Sequence, residues 1–198
     1  LAVIAGTNAS GKSNLFDALM LLSRLAEVDL KTAFAEQRGN PSELFTQYGE
    51  DWYATEIEFI VEMLVSRKVK DNWGGEEELN NTRLKYRLII NRKKNNMCFE
   101  DLFVKHESLG KIRPDEDLWV KKFKEAKILS KTLRAGGSRD PFIKTTDEGT
   151  AVAIKMRQDG KQGGKATPAD TISQTVLGGV TTVDFPHVFA VKEEMRSW

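Results

Sequence analysis

The sequence is poor in several things, and each shortage removes a class of protein. It has one cysteine, Cys98, in 198 residues. No disulfide can form within the chain, so a disulfide-stapled scaffold is excluded, and a reducing, cytoplasmic setting is expected. Five prolines and fifteen glycines are too few for a collagen-like or low-complexity chain. No apolar run approaches about 18 residues, so no membrane partner is expected. The apolar start, Leu1 to Ala5, lacks the basic opening and small-residue cleavage site of a signal peptide. An excess of one charge is missing too. Thirty Lys and Arg against 29 Asp and Glu leave a formal net charge of +1. Any contact with DNA would therefore need a local patch, since the molecule as a whole has no attracting field.

What is present is a chain that can fold. It is 40% hydrophobic and 30% charged, enough for a core and too apolar for a disordered tail. It opens without an initiator methionine, inside what reads as a strand, and ends at Trp198 without a stop signal. Both ends are expected to be cut, leaving one truncated unit over 1–198.

Hydrophobic periodicity divides that unit. Leu1 to Ala5 reads as a buried strand, and Asn14 to Leu30 as a helix. Leu15, Leu19, Leu22 and Ala26 lie on one helical face, widened by Phe16, Leu21 and Leu25. Gly39-Asn40-Pro41-Ser42 breaks the pattern. From Ala54 to Val65 the period becomes two, with Ile57, Phe59, Val61 and Met63 against Glu56, Glu58 and Glu62. Asp71 to Glu78 reads as a loop. Leu84, Tyr86, Leu88 and Ile90 alternate with Arg83, Lys85 and Arg87, and the return strand is expected from Met97 to Glu107. These strands predict an antiparallel meander. Asp115 to Leu133 reads as a helix capped by Asp115, and Ala135 to Ser138 as a break. Thr150, Val152, Ile154 and Met156 alternate as another strand, and Asp159 to Lys165 is expected to be a loop or hairpin tip. After Pro186, Val188, Val191, Met195 and Trp198 share a helical face. The expected organisation is a strand and helix over 1–35 and a mainly antiparallel β lobe over 54–157.

One motif carries chemistry. Gly6-Thr7-Asn8-Ala9-Ser10-Gly11-Lys12-Ser13 is G-x-x-x-x-G-K-[ST] without a gap, between a strand signal and a helix signal. Gly6 and Gly11 let the backbone turn tightly and approach phosphate oxygens. Backbone N–H groups from Asn8 to Ser13 would form an anion nest at the helix N-terminus. Lys12 would reach the β- and γ-phosphates as the catalytic cation, and the Ser13 hydroxyl would ligate Mg²⁺. The cofactor-binding set is thus Asn8, Ala9, Ser10, Gly11, Lys12, Ser13 and Asn14, with ATP and Mg²⁺ as cofactors. No guanine-reading N-K-x-D follows, which favours ATP over GTP.

Gly6 to Leu19, GTNASGKSNLFDAL, resembles the Walker A segment of ABC-type ATPases of the SMC/RecF/OLD group. Asn8, Ser10, Gly11, Lys12, Ser13, Asn14, Asp17 and Ala18 match the group's pattern, and Ala9 stands where glycine is commoner. The stretch from Glu43 to Gly49, then Ile57 to Leu64, is similar to the antiparallel lobe that follows in that group, and predicted bacterial ATPases of its AAA-labelled, OLD-like subset are nearest. The resemblance implies an α/β fold, a P-loop NTPase of the ABC type represented by its N-terminal lobe. It also implies nucleotide-coupled dimerisation through a C-terminal lobe, with DNA and an effector or nuclease as candidate partners.

Other elements of such a site are not legible. Glu193-Glu194 reads as a solvated helix face, not a Walker B strand end, and Val183-Asp184 is too short a strand signal. Gly136-Gly137 and Gly178-Gly179 read as loop punctuation, and Gln174 is a weak Q-loop candidate. His106 and His187 lack partners at zinc-ligand spacing. Cys98 reads as a buried thiol. The basic stretches 67–70 and 92–94, with Lys121, Lys122, Lys124 and Lys127, read as solvated tips and faces. A DNA-binding module built on the basic hairpins, and a small P-loop kinase or GTPase, are the alternatives. The antiparallel middle argues against a kinase, which would continue with βα units.

Overall fold

The computed structural model describes residues 4–7, 10–39, 41–50, 52–94, 100–113, 115–123, 140–147, 152–158, 163–169 and 172–198. Its frame is a six-stranded sheet in which every strand pair is antiparallel. The strands are β3 (Glu56–Leu64), β6 (Arg83–Lys94), β7 (Glu100–Lys111), β8 (Ile143–Asp147), β9 (Val152–Arg157) and β10 (Gly164–Pro168). Their order is β10-β9-β8-β7-β6-β3. The alternation foreseen over 54–65 and 83–92 is present. Leu84, Tyr86, Leu88 and Ile90 are fully buried on the inner face, in register with Met63, Val61, Phe59 and Ile57, while Glu56, Glu58 and Glu62 alternate with those residues on the other face. Each buried aliphatic chain contributes roughly 1.5–3 kcal/mol, so this stripe fixes the register, because a slip by one residue would turn all four outward.

The helices are α1 (Lys12–Leu25), α2 (Leu30–Ala35), α3 (Leu118–Lys122) and α4 (Pro186–Arg196); α1, α2 and α4 add their buried side chains to the main core, while α3 packs over Arg83 on the outer face. The single helix expected over 14–30 is two helices. The Asp29 carboxylate accepts the Thr32 N–H at 3.1 Å and the Thr32 hydroxyl at 2.7 Å. A capping residue needs extended backbone, here φ −68° and ψ 162°, so the chain must leave α1 before it can start α2. The apolar face also differs from expectation. Leu21, Leu22, Leu25 and Ala26 are buried, but Leu15 is 46% and Phe16 55% exposed. The described elements pack on the last turns of α1 only. On α4 the expected face holds, with Val188, Val191 and Met195 buried.

Four further expectations are corrected. Ile4 and Ala5 belong to no sheet, because no described strand pairs with them; Leu1 to Val3 lie outside the described residues. Part of the loop expected over 71–78 is strand: β5 (Glu76–Glu78) pairs with β4 (Lys68–Lys70). The charges explain it, since Lys70 meets Glu76 at 2.7 Å and Arg67 meets Glu78 at 2.8 Å, cross-strand opposites that offset the low β propensity of Lys and Glu. The 67–70 stretch is therefore one side of a charge-paired hairpin. The helix expected from Asp115 begins at Leu118, capped by Asp117, whose carboxylate accepts the Val120 N–H at 3.1 Å; Asp115 instead pairs with Arg113. Residues 124–139, with the rest of that expected helix and the break at 135–138, lie outside the described residues. Gly164 and Lys165, expected in a loop, begin β10, and β8 was not foreseen.

A second small hairpin, β1 (Gln47–Gly49) with β2 (Trp52–Tyr53), precedes the sheet. No helix among the described residues is long and apolar enough to cross a membrane.

Candidate functional site

The loop before α1 is built as the glycine spacing requires. Gly11 is the N-cap of α1 with φ 82° and ψ 9°, a left-handed conformation that side-chain-bearing residues rarely adopt. No side chain caps this helix and its first turn has no acidic residue. The first N–H groups of a helix have no intrahelical acceptor, and the helix dipole adds partial positive charge there. An anion is the natural occupant of such an end. Ser13 and Asn14 stand exposed on the first turn, and Lys12 is half-buried beneath the loop.

Lys12 does not project into solvent. Its ammonium donates to the Gly6 carbonyl at 2.8 Å, the Thr7 carbonyl at 2.6 Å and the Ser10 hydroxyl at 3.2 Å. The loop is thus wrapped around the cation that the motif reserves for phosphate. Asn8 and Ala9 lie outside the described residues. Ser10, Gly11, Lys12, Ser13 and Asn14 are brought together at the one helix end. Sequence spacing did not reveal the two carbonyl acceptors, because backbone oxygens leave no signature in residue type.

The other candidates fall elsewhere. Gln174 lies 3.5 Å from the Glu27 carbonyl, beyond the C-terminal end of α1. A fourteen-residue helix is about 21 Å long, so Gln174 cannot share an ion with Ser13 and is not a Q-loop residue of this site. Glu193 and Glu194 are in α4, and Glu193 pairs with Arg196 at 2.7 Å. Asp184 accepts the Thr182 hydroxyl in a turn. Gly178 and Gly179 are also in a turn, where a Cβ on Gly178 would stand 2.9 Å from the Leu25 carbonyl. Cys98 lies outside the described residues.

The far end of α1 is held by groups that residue patterns did not expose. The Thr175 hydroxyl donates to the Leu25 carbonyl at 3.0 Å, and the buried Lys192 ammonium donates to the carbonyls of Gly178 and Val180. The Glu107 carboxylate, wholly buried in the sheet, accepts the N–H groups of Val176 at 2.7 Å and Leu177 at 2.9 Å and the Tyr86 hydroxyl at 3.0 Å. Burial pushes this acid up to about 6, against the three donors that favour its charge. Asp71 reaches across from the β4–β5 hairpin to the Val183 N–H at 3.1 Å and accepts two N–H groups of its own turn. The Val183 bond, then those of the turn, hold its carboxyl below the usual range. The sheet, the 173–184 segment and α1 are thereby one packed unit behind the loop.

No curated protein and no solved structure matches this chain. A family model does match, over residues 1–133, which contain the loop, α1, α2 and the strands through β7; its description is "AAA domain, putative AbiEii toxin, Type IV TA system". A nucleotide-binding ATPase domain is what that family implies. The chain belongs to this family of AAA domains.

Proposed function

We propose that the chain is the N-terminal, ATP-binding lobe of an ABC-type ATPase of the SMC/RecF/OLD kind. The observation that carries this is the uncapped N-terminus of α1 behind a left-handed Gly11, with the Lys12 ammonium folded into the loop. Backbone N–H groups of Ser10 to Asn14, with those of Asn8 and Ala9 from the motif, bind the phosphates. Lys12 neutralises the β- and γ-oxygens, and Ser13 supplies a Mg²⁺ ligand. Mg²⁺ held through Ser13 would supply positive charge against the charge that develops in phosphoryl transfer.

Binding and turnover separate in this reading. None of the acids weighed from the sequence for orienting an attacking water stands at the loop: Glu193 and Glu194 are in α4 and Asp184 is in the turn before it. Lys12 and Ser13 hold ground and transition states alike, which gives affinity without much rate. Hydrolysis then follows dimerisation through further chain, coupled to work on DNA or to an effector. Of the tasks open to the resembled group, a defence role is the one the toxin–antitoxin wording of the family description supports. The basic hairpin at 67–70 supports DNA contact poorly, because Arg67 and Lys70 are spent on Glu78 and Glu76.

Calorimetry with ATP and Mg²⁺ tests the site. Lys12→Ala removes a charge-assisted contact of about 1.5–3 kcal/mol, so affinity should fall roughly 10- to 100-fold. Unchanged affinity would remove the assignment. Ser13→Ala should reduce the gain in affinity that Mg²⁺ gives and leave metal-free binding nearly as it was; equal losses with and without the ion would count against the hydroxyl as a ligand.

A further inference from the structure

We propose that the cleft between the β4–β5 hairpin and α4 is a binding site for a small carboxylate ligand, held by the buried ammonium of Lys192. The cleft has a volume of about 290 Å³, at the lower end of small-molecule pockets. Its wall includes Glu27, just past the C-terminal end of α1. The cleft and the Gly11 loop therefore lie at opposite ends of a helix about 21 Å long. The site stands independently of the nucleotide reading.

Lys192 lines this cleft and is only 9% exposed. Its ammonium donates to the Gly178 carbonyl at 2.8 Å and the Val180 carbonyl at 2.7 Å, which occupies two of its three N–H donors. Both acceptors are neutral. A buried charge is ordinarily paired with an opposite one, because its desolvation is costly otherwise. Two carboxylates stand in the same wall, Glu27 and Glu193, but each is bonded to Arg196 at 2.7 Å, and Glu27 also holds Arg24. Lys70, the third cation of the wall, pairs with Glu76. Burial, then Arg196, lowers the Lys192 pKa, and Glu193 and Glu27 oppose this only in part. The protein thus gives Lys192 two carbonyls and spends its nearby carboxylates on other cations. A carboxylate entering the cleft would supply the neutralising charge.

The rest of the wall narrows the chemistry. Val180 and Phe189 are buried and give the cleft an apolar side. Thr181 and Asn72 stand exposed at its rim, with a hydroxyl and an amide to offer. One remaining ammonium N–H beside an apolar side suits a monoanion with a short hydrocarbon body. A phosphate, with several charged oxygens, would need more charged donors than this wall has uncommitted.

Titration of the isotope-labelled 198-residue chain with sodium propionate, followed by NMR against sodium chloride at equal ionic strength, tests the site. The amide signals of Thr181, Phe189 and Lys192 should shift saturably, with a dissociation constant on the order of millimolar, and chloride should not reproduce the shifts. Inorganic phosphate should bind at least about threefold more weakly. Lys192→Met should abolish saturation. Thr181→Val changes an exposed residue and should weaken binding about threefold to tenfold, the worth of one hydrogen bond. Absence of saturable shifts at these residues up to about 50 mM propionate overturns the proposal. Unchanged affinity in Lys192→Met overturns it too, and if that variant fails to fold, unchanged affinity in Thr181→Val does so in its place. Tighter binding of phosphate than of propionate overturns the assignment of a carboxylate.

Discussion

Glu107→Ala is expected to destabilise the protein by about 3 kcal/mol at pH 7, lowering Tm by roughly 6–12 °C in a domain of this size. The truncation leaves the N–H groups of Val176 and Leu177 and the Tyr86 hydroxyl buried without the acceptor they now share. Each such group costs about 1–3 kcal/mol. Relief from burying a carboxylate offsets part of that sum. The offset depends on pH, and its sign is fixed. Burial raises this acid from its ordinary 4.5 to about 6, so the folded state holds the proton more tightly than the unfolded one. The stability gained from that proton is full below about pH 4.5 and is lost as pH rises through about 6, a change of up to about 2 kcal/mol. The gap between wild type and variant should therefore be widest at low pH and narrow across this window. Thermal melts at several pH values measure it. A gap that stays constant from pH 4 to 8 would mean that Glu107 keeps one protonation state throughout.

Asp117→Ala should cost about 3–5 kcal/mol. The Asp117 carboxylate is wholly buried, receives Arg83 at 3.1 and 3.3 Å and caps α3. Without it, the guanidinium stays buried with only Glu62, 3.7 Å away, and the ring of Trp119 beneath it. Glu62 is one-third exposed, so its compensation is weak and the loss should lie near the lower end of that range. Replacing both partners, as Arg83→Met with Asp117→Leu, should recover much of the stability, because a buried pair returns little beyond its own desolvation cost. Urea titrations of the single and double variants test both statements. A single-variant loss under about 1 kcal/mol would show that Glu62 takes over the pairing.

The sequence by itself determined what depends on neighbours along the chain. The spacing of Gly6, Gly11, Lys12 and Ser13 marked the loop and the start of α1, because turn, anion nest and helix end are all made within eight residues. The period-two runs marked β3 and β6, and the 3.6 period marked the buried face of α4, because each needs only a regular backbone and one wet side. Tertiary structure decided the rest. Lys105 is an extra residue in β7, since Ile89 pairs with His106 while Ile90 pairs with Val104. That bulge shifts the alternation by one and turns Glu107 inward beside Leu109, where its own segment would have placed it outside. Arg83 lies on the outer face opposite Leu64, yet it is only 5% exposed because Asp117 and Trp119 from α3 cover it. The exposed first turns of α1 follow the same rule. Alternation along a strand states which side chains share a face, but what lies against that face comes from residues far away in sequence. Bulges and buried charges exist only once those residues have arrived.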